Sequence, residues 1–181
     1  MALTSPEVTE LTVLSAPKLL LHEWLTGWFD GEEHAVGEPA TVSGLFPLAA
    51  IAFDQGPIKQ PLDTGAVDAV EPTPEARVEI RVTIMTGPDT VRNDAGAQLV
   101  SAPITINFWI RSKHRSAPDS RGEAQQAGDL LRAILTNPAS RLDLALKGLQ
   151  HLQPRTPSLV SATEYAMYLL VCPAKVEYWT T

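Results

Sequence analysis

Apolar and polar residues alternate most regularly in two stretches of this chain, and a three-to-four-residue apolar period governs the segment after the second. Val78, Ile80, Val82 and Ile84 are separated by Glu79, Arg81 and Thr83. In Ile104-Thr105-Ile106-Asn107-Phe108-Trp109-Ile110-Arg111 the even positions are apolar and the odd ones mostly polar. Successive strand residues point to opposite faces, so each stretch predicts a strand with one face on a core. Beyond them Ala124, Ala127, Leu130, Leu131, Ile134 and Leu135 fall on one helical stripe, opposite Gln125, Asp129 and Arg132. Ser120-Arg121-Gly122-Glu123 fits a capping box, a motif worth roughly 1 kcal/mol, so this helix is expected to start at Ser120 and to close at Asn137-Pro138.

The rest of the chain is placed against that unit. Leu14, Leu20, Leu21, Trp24, Leu25 and Trp28 predict an earlier helix with Ser15 as cap, Pro17 in the first turn and an end near Gly27. Residues 30–75 are rich in Gly, Pro and acidic side chains, and there only Leu45–Phe53 is apolar enough for a short strand. The remainder, Gln60–Glu75 above all, reads as an irregular acidic arm or insertion whose backbone orders only against another surface. Between Gly87 and Pro103 the turn-formers Pro88-Asp89 and Asn93-Asp94-Ala95-Gly96 predict a long hairpin that projects from the core, with Gln98-Leu99-Val100 extending its return strand.

Farther on, Leu142, Leu144, Ala145, Leu146 and Leu149 give a second helix over Ser140–Gln150, ended by Gly148. Leu149–Gln153 suggests an edge strand, and Pro154 and Pro157 mark a turn. Thr163–Cys172 is apolar on both alternations, as a central strand is, and Pro173 is expected to end or bulge it before Val176–Trp179 resumes. The expected fold is a single α+β domain over residues 1–181, a mainly antiparallel β-sheet with a long projecting hairpin and helices packed on one face.

Composition changes this picture in one respect. The net charge of −7 over 181 residues is unevenly spread: residues 1–75 hold twelve acidic and two basic side chains (net −10), and residues 76–181 hold nine and twelve (net +3). The two parts therefore attract each other, or different partners. Cys172 is alone, so no intramolecular disulfide forms, and its apolar surroundings favour a buried small hydrophobe over a reactive thiol. There is no basic segment followed by an apolar one at the N-terminus, and Leu45–Phe53 is too short to span a bilayer, so a soluble protein that meets no membrane is expected.

Motifs that carry chemistry are nearly absent from the sequence. No nucleotide-binding glycine fingerprint, phosphate-cradling loop, nucleophile elbow or paired-histidine motif occurs, so neither catalysis nor a cofactor is expected. His22, His34, His114 and His151 are scattered, and Asp30, Glu32, Glu33 and His34 adjoin one another without the spacing that converges on a metal. One cationic cluster stands out: Arg111, Lys113, His114, Arg115 and Arg121 crowd the crossover from strand to helix, with Arg121 expected in the first helical turn, where it opposes the macrodipole. The cluster reads as a phosphate-facing or nucleic-acid-binding patch, as a contact for the acidic part of a neighbouring subunit, or as a solvated loop.

The texture of residues 104–179 resembles the tail terminator (tail completion) proteins of long-tailed bacteriophages. The likeness lies in Ile104–Arg111, in Ala124-Gln125-Gln126-Ala127-Gly128-Asp129-Leu130-Leu131-Arg132-Ala133-Ile134-Leu135, in Leu142–Leu152 and in Tyr165–Tyr178. It does not reach Asp30–Glu75. The resemblance implies a non-enzymatic virion protein of the tail-neck region, assembled in the host cytoplasm as a homo-oligomeric ring, commonly six-fold. Such a ring caps the tail tube and meets both the tail-tube protein and the head-tail connector, and DNA passes through it without specific binding. On that reading the interface candidates are Arg111, Lys113, Arg115 and Arg121 in the crossover, Val91, Arg92 and Asp94 in the hairpin, and Glu32, Glu33, Asp63 and Asp68 in the acidic arm.

Overall fold

The alternating stretches form neighbouring strands of one sheet. A computed structural model of the chain describes residues 3, 21, 24, 25, 27, 28, 34–37, 40, 41, 49–53, 78–112, 117–161 and 166–180. Two short strands, β1 (Ala35–Gly37) and β2 (Ala40–Thr41), pair with each other. The main sheet takes β3 (Ala49–Phe53), β4 (Val78–Thr86), β5 (Thr90–Asp94), β6 (Ala97–Ser112), β7 (Leu149–Gln150), β8 (Ser158–Ser161) and β9 (Met167–Thr180). Its order is β3-β4-β6-β9-β7, with β5 added beside β6 and β8 beside β9. Every pairing in it is antiparallel except β3 against β4.

The helices α1 (Ala117–Thr136) and α2 (Pro138–Leu146) lie on one face. That face is made by the even positions of β6 (Ile104, Ile106, Phe108, Ile110), by Val78, Ile80 and Val82 of β4, and by Leu170 and Cys172 of β9. Ala124, Ala127, Leu130, Leu131, Ile134 and Leu135 of α1 bury against them, and so do the helical residues Leu21, Trp24, Leu25 and Trp28. Each large apolar side chain taken fully out of water contributes roughly 1.5–3 kcal/mol. The α+β architecture expected from the residue pattern is the one observed.

Local chemistry explains where the elements begin and end. The helix α1 starts at Ala117, not Ser120, so the expected capping box lies inside it. Pro118 belongs to that first turn, where a proline's missing N–H costs nothing. Glu123 instead accepts a 3.3 Å hydrogen bond from the buried Ser112 hydroxyl, tying the end of β6 to the helix. At the other end Asn137 is the single residue between two helices. Its Oδ1 accepts from the Ala139 amide and its Nδ2 donates to the Leu3 carbonyl at 3.1 Å. The second helix therefore begins at Pro138, two residues before Ser140.

Gly148 turns the chain from α2 into β7 at φ +94°, and a Cβ there would stand 2.5 Å from the Glu177 carbonyl oxygen. Only glycine fits both the dihedral and the space.

Pro173 does not interrupt β9, contrary to expectation. Its carbonyl accepts from the Gln153 amide, and that of Val171 accepts from Arg155, so the polar groups of these residues point away from β6. In an antiparallel ladder a residue's N–H and C=O share one side, so the missing N–H of Pro173 costs the β6 ladder nothing. Pro103 shows the complementary case. Its carbonyl accepts from Gly87, the Cβ of any other residue at 87 would lie 2.8 Å from the Pro103 ring, and the outer strand breaks there into β4 and β5.

Residues 87–103, expected as a hairpin with a loop-like outer part, are strand on both sides of a two-residue turn. Ala95 and Gly96 have φ of 45° and 92°, the pattern of a type I′ turn, and Thr90–Asp94 pairs in full with Ala97–Ser101. The partner strand β9 follows β6 as far as Gln98↔Thr180, so the arm is three strands wide near its end. In the acidic region the expected short strand occurs as β3, and β1 and β2 add regular structure where an irregular arm was expected. Gln60–Glu75, the start of the N-terminal helix at Ser15 and Pro17, and Thr163–Tyr165 lie outside the described residues.

Candidate interaction surface

The odd positions of the sheet make its second face, on which no described element packs. Three registers cross it near the base: Glu79↔Arg111↔Met167, Arg81↔Trp109↔Leu169 and Thr83↔Asn107↔Val171. Trp109 donates its indole N–H to the Thr83 hydroxyl at 3.3 Å, and Thr83, Asn107 and Met167 are buried while Arg81, Trp109 and Val171 are half-buried. Toward the arm the same face carries Met85 (46% exposed), Pro103, Lys175 and Glu177. The last two form an ion pair.

At the end of the arm the face closes with Arg92↔Leu99↔Trp179. Arg92 is exposed, Leu99 half-buried and Trp179 50% exposed. Val91, opposite Val100, points to the helix side and is also exposed, at 55%.

The predicted cationic crossover does not form one surface among the described residues. Arg111 sits half-buried on the helix-free face, whereas Arg121 is exposed on α1, on the other side of the sheet. Because α1 starts at Ala117, Arg121 also lies beyond the first turn, where its opposition to the macrodipole weakens. Lys113, His114 and Arg115 fall outside the described residues, as do His22, Asp30, Glu32, Glu33, Asp63 and Asp68. Asp94 ends β5 beside the turn, and Val91 and Arg92 are solvent-facing residues of the arm.

The remaining titratable groups do not assemble a reactive centre among the described residues. His34 stacks edge-on against the buried Trp28 with ring centroids 5.5 Å apart, and His151 is exposed at a chain turn with φ 55°. No group of three His, Cys, Asp or Glu side chains that could hold a metal occurs among them. Cys172 is fully buried, and that burial pushes its thiol up to about 12, against the smaller opposing pulls of the Gln153 amide and the Arg141 charge. A thiol so placed is not a nucleophile at neutral pH. No helix among the described residues is long and apolar enough to cross a membrane.

Sequence reasoning missed Leu99 and Trp179. Their side chains meet only through the β6–β9 register, which no local pattern encodes, although the alternation of Val176, Tyr178 and Trp179 places Trp179 on the face opposite Val176. Comparison of the sequence with protein-family models and with curated proteins gave no match.

Proposed function

We propose that this chain is a phage virion structural subunit of the tail terminator type, one that assembles as a ring on the end of a tail tube and presents a surface to the head-tail connector. The observation that carries the reading is the arm formed by β5, β6 and the end of β9, whose large apolar and cationic side chains are left in solvent. Isolated exposed apolar residues are ordinary, but Val91 and Trp179, each about half exposed on opposite faces of one projecting element, suit an arm that is gripped from both sides. The resemblance over residues 104–179 supplies the kind of assembly, and the uneven charge of the two parts of the chain suits head-to-tail contact around a closed ring. The subunit acts by contact and carries no cofactor.

The alternative of a nucleic-acid-binding patch is the weaker reading, because Arg111 and Arg121, the two cations of the crossover among the described residues, lie on different sides of the sheet. Negative-stain images of the purified protein are expected to show rings, and added tail tubes are expected to carry one at a single end. A protein that stays monomeric at high concentration and ignores tube ends would refute the reading.

A further inference from the structure

Resting on the reading of a self-assembling subunit, we infer that the arms of neighbouring copies join edge to edge: the outer edge of β5 in one copy pairs in parallel with the end of β9 in the next, and Arg92 of the first stacks on Trp179 of the second. Thr90, Val91, Arg92 and Asn93 are all exposed, and β5 runs its full length against β6 without a bulge. An open, regular edge of this kind is a template for another strand. The edge at β8, by contrast, is broken by a register shift between Leu159 and Ser161, which discourages further pairing.

The occupant follows from which backbone groups are open. In an antiparallel ladder polar groups alternate between the two sides of a strand. The bond from Gly87 to the Pro103 carbonyl and the two-residue turn at Ala95-Gly96 direct the odd residues of β6 toward β5, so Thr90, Arg92 and Asp94 bond inward while Val91 and Asn93 face outward. On β9 the Glu177 amide donates away from β6, to Gly148, so Trp179, two residues on, turns its N–H and C=O to the same outer side. Gly148 leads back into α2, and no described strand runs beside Trp179. In a parallel pair one residue bonds the two that flank its opposite number. Trp179 set between Val91 and Asn93 donates to the Val91 carbonyl and accepts from the Asn93 amide, and the residue opposite it is then Arg92. Both side chains lie on the helix-free face, where a guanidinium over an indole is a favourable pair.

The symmetry agrees with a ring. Both β5 and β9 run antiparallel to β6, so they share one direction, and rotation about an axis along the strands brings them together in parallel with every helix on the same side. Each copy gives one edge and takes one, as closure requires. A two-fold pairing of β5 with β5 that used the same open groups would set Arg92 opposite Arg92, which is unfavourable. Asp94 and Glu177 share the face of Arg92, so the contact is a stack with two backbone hydrogen bonds rather than a salt link, and its strength should change little with salt.

The test measures the concentration dependence of molecular mass by sedimentation for the wild-type chain, Trp179→Ala, Asn93→Pro and the control Leu159→Gln on the bulged strand β8. Trp179→Ala is expected to raise the assembly concentration by about thirty-fold, as loss of a central aromatic does. Asn93→Pro removes an N–H that the subunit's own ladder does not use, so it keeps the fold and tests the junction even if Trp179→Ala weakens the arm; about ten-fold is expected. The register also places Asn93 opposite Thr180 of the next copy, so Asn93→Cys combined with Thr180→Cys should give a ladder of disulfide-linked oligomers on mild oxidation. Unchanged assembly of either weakened variant, or a covalent dimer from Asn93→Cys alone, would overturn the inference while leaving the ring intact. A wild-type chain that never assembles would remove the ring reading and this inference with it.

Discussion

Cys172 shows how one residue's surroundings set both its chemistry and its contribution to folding. It lies opposite Ile106 within the buried cluster, where burial disfavours the thiolate and holds the thiol near 12, against a reference of 9.0. The folded state thus binds its proton more tightly than the unfolded state does. Its contribution is fully present below about pH 9 and is lost as pH rises from about 9 toward about 12, because only the unfolded chain ionises in that window. Urea midpoints measured between pH 8.5 and pH 11 should therefore fall more steeply for the wild-type chain than for Cys172→Ala, whatever the cavity costs Cys172→Ala at every pH. Equal slopes would mean that the thiolate is tolerated in the core. The lone cysteine and its apolar flanks were legible in the sequence as a buried hydrophobe. The identity of its neighbours Gln153 and Arg141 was not, because Gln153 is brought alongside by its hydrogen bond to Pro173 and Arg141 by the placement of α2.

Among elements, the arm is where local sequence and tertiary pairing can be separated most cleanly. Its turn needs positive φ at two successive residues, and the chain supplies glycine at only the second. Ala95 at φ 45° bears a Cβ penalty of roughly 1–2 kcal/mol that glycine escapes and asparagine lessens. Replacing Ala95 by Asn or Gly should therefore raise the melting temperature by a few degrees, read by circular dichroism, and should slow amide exchange in β5. An unchanged or lowered value would show that the turn is not the weak point of the arm.

The strands themselves were readable from alternation, and the helices from their apolar stripes. What misled the sequence reading was competition between equally good local signals. Ser120-Arg121-Gly122-Glu123 has the spacing of a cap, but Pro118 suits a first turn better, and Glu123 is taken by Ser112 across the crossover. Pro173 carries a strong local signal for an end, and it is overridden because its polar edge faces the 151–157 segment rather than β6. The parallel placement of β3 beside β4 had no local signal at all, since pairing direction is decided by the path of the chain between strands.

For the whole molecule, the last strand described is also the one around which the sheet closes. From Gln98↔Thr180 to Arg111↔Met167 β9 accompanies β6, and on its other edge it holds β7, β8 and the amides of Gln153 and Arg155. Without it the 149–161 segment has no strand to lie against, and the apolar faces of α1 and β6 lose the buried Tyr168, Leu170, Cys172, Ala174 and Val176. At roughly 1.5–3 kcal/mol for each large side chain, that loss is comparable to the about 5–15 kcal/mol by which domains are stable at all. A chain truncated after Ser161 should accordingly show no cooperative thermal transition and no near-ultraviolet dichroism. Adding a peptide of residues 162–181 should restore both, because β6 and α1 are contributed by the truncated chain and need only their missing neighbour. A truncated chain that melts cooperatively near the wild-type temperature would show instead that β4, β6 and α1 form a self-sufficient core. The arm, which depends on β9 for its third strand and for Trp179, would then be an appendage rather than a continuation of the fold.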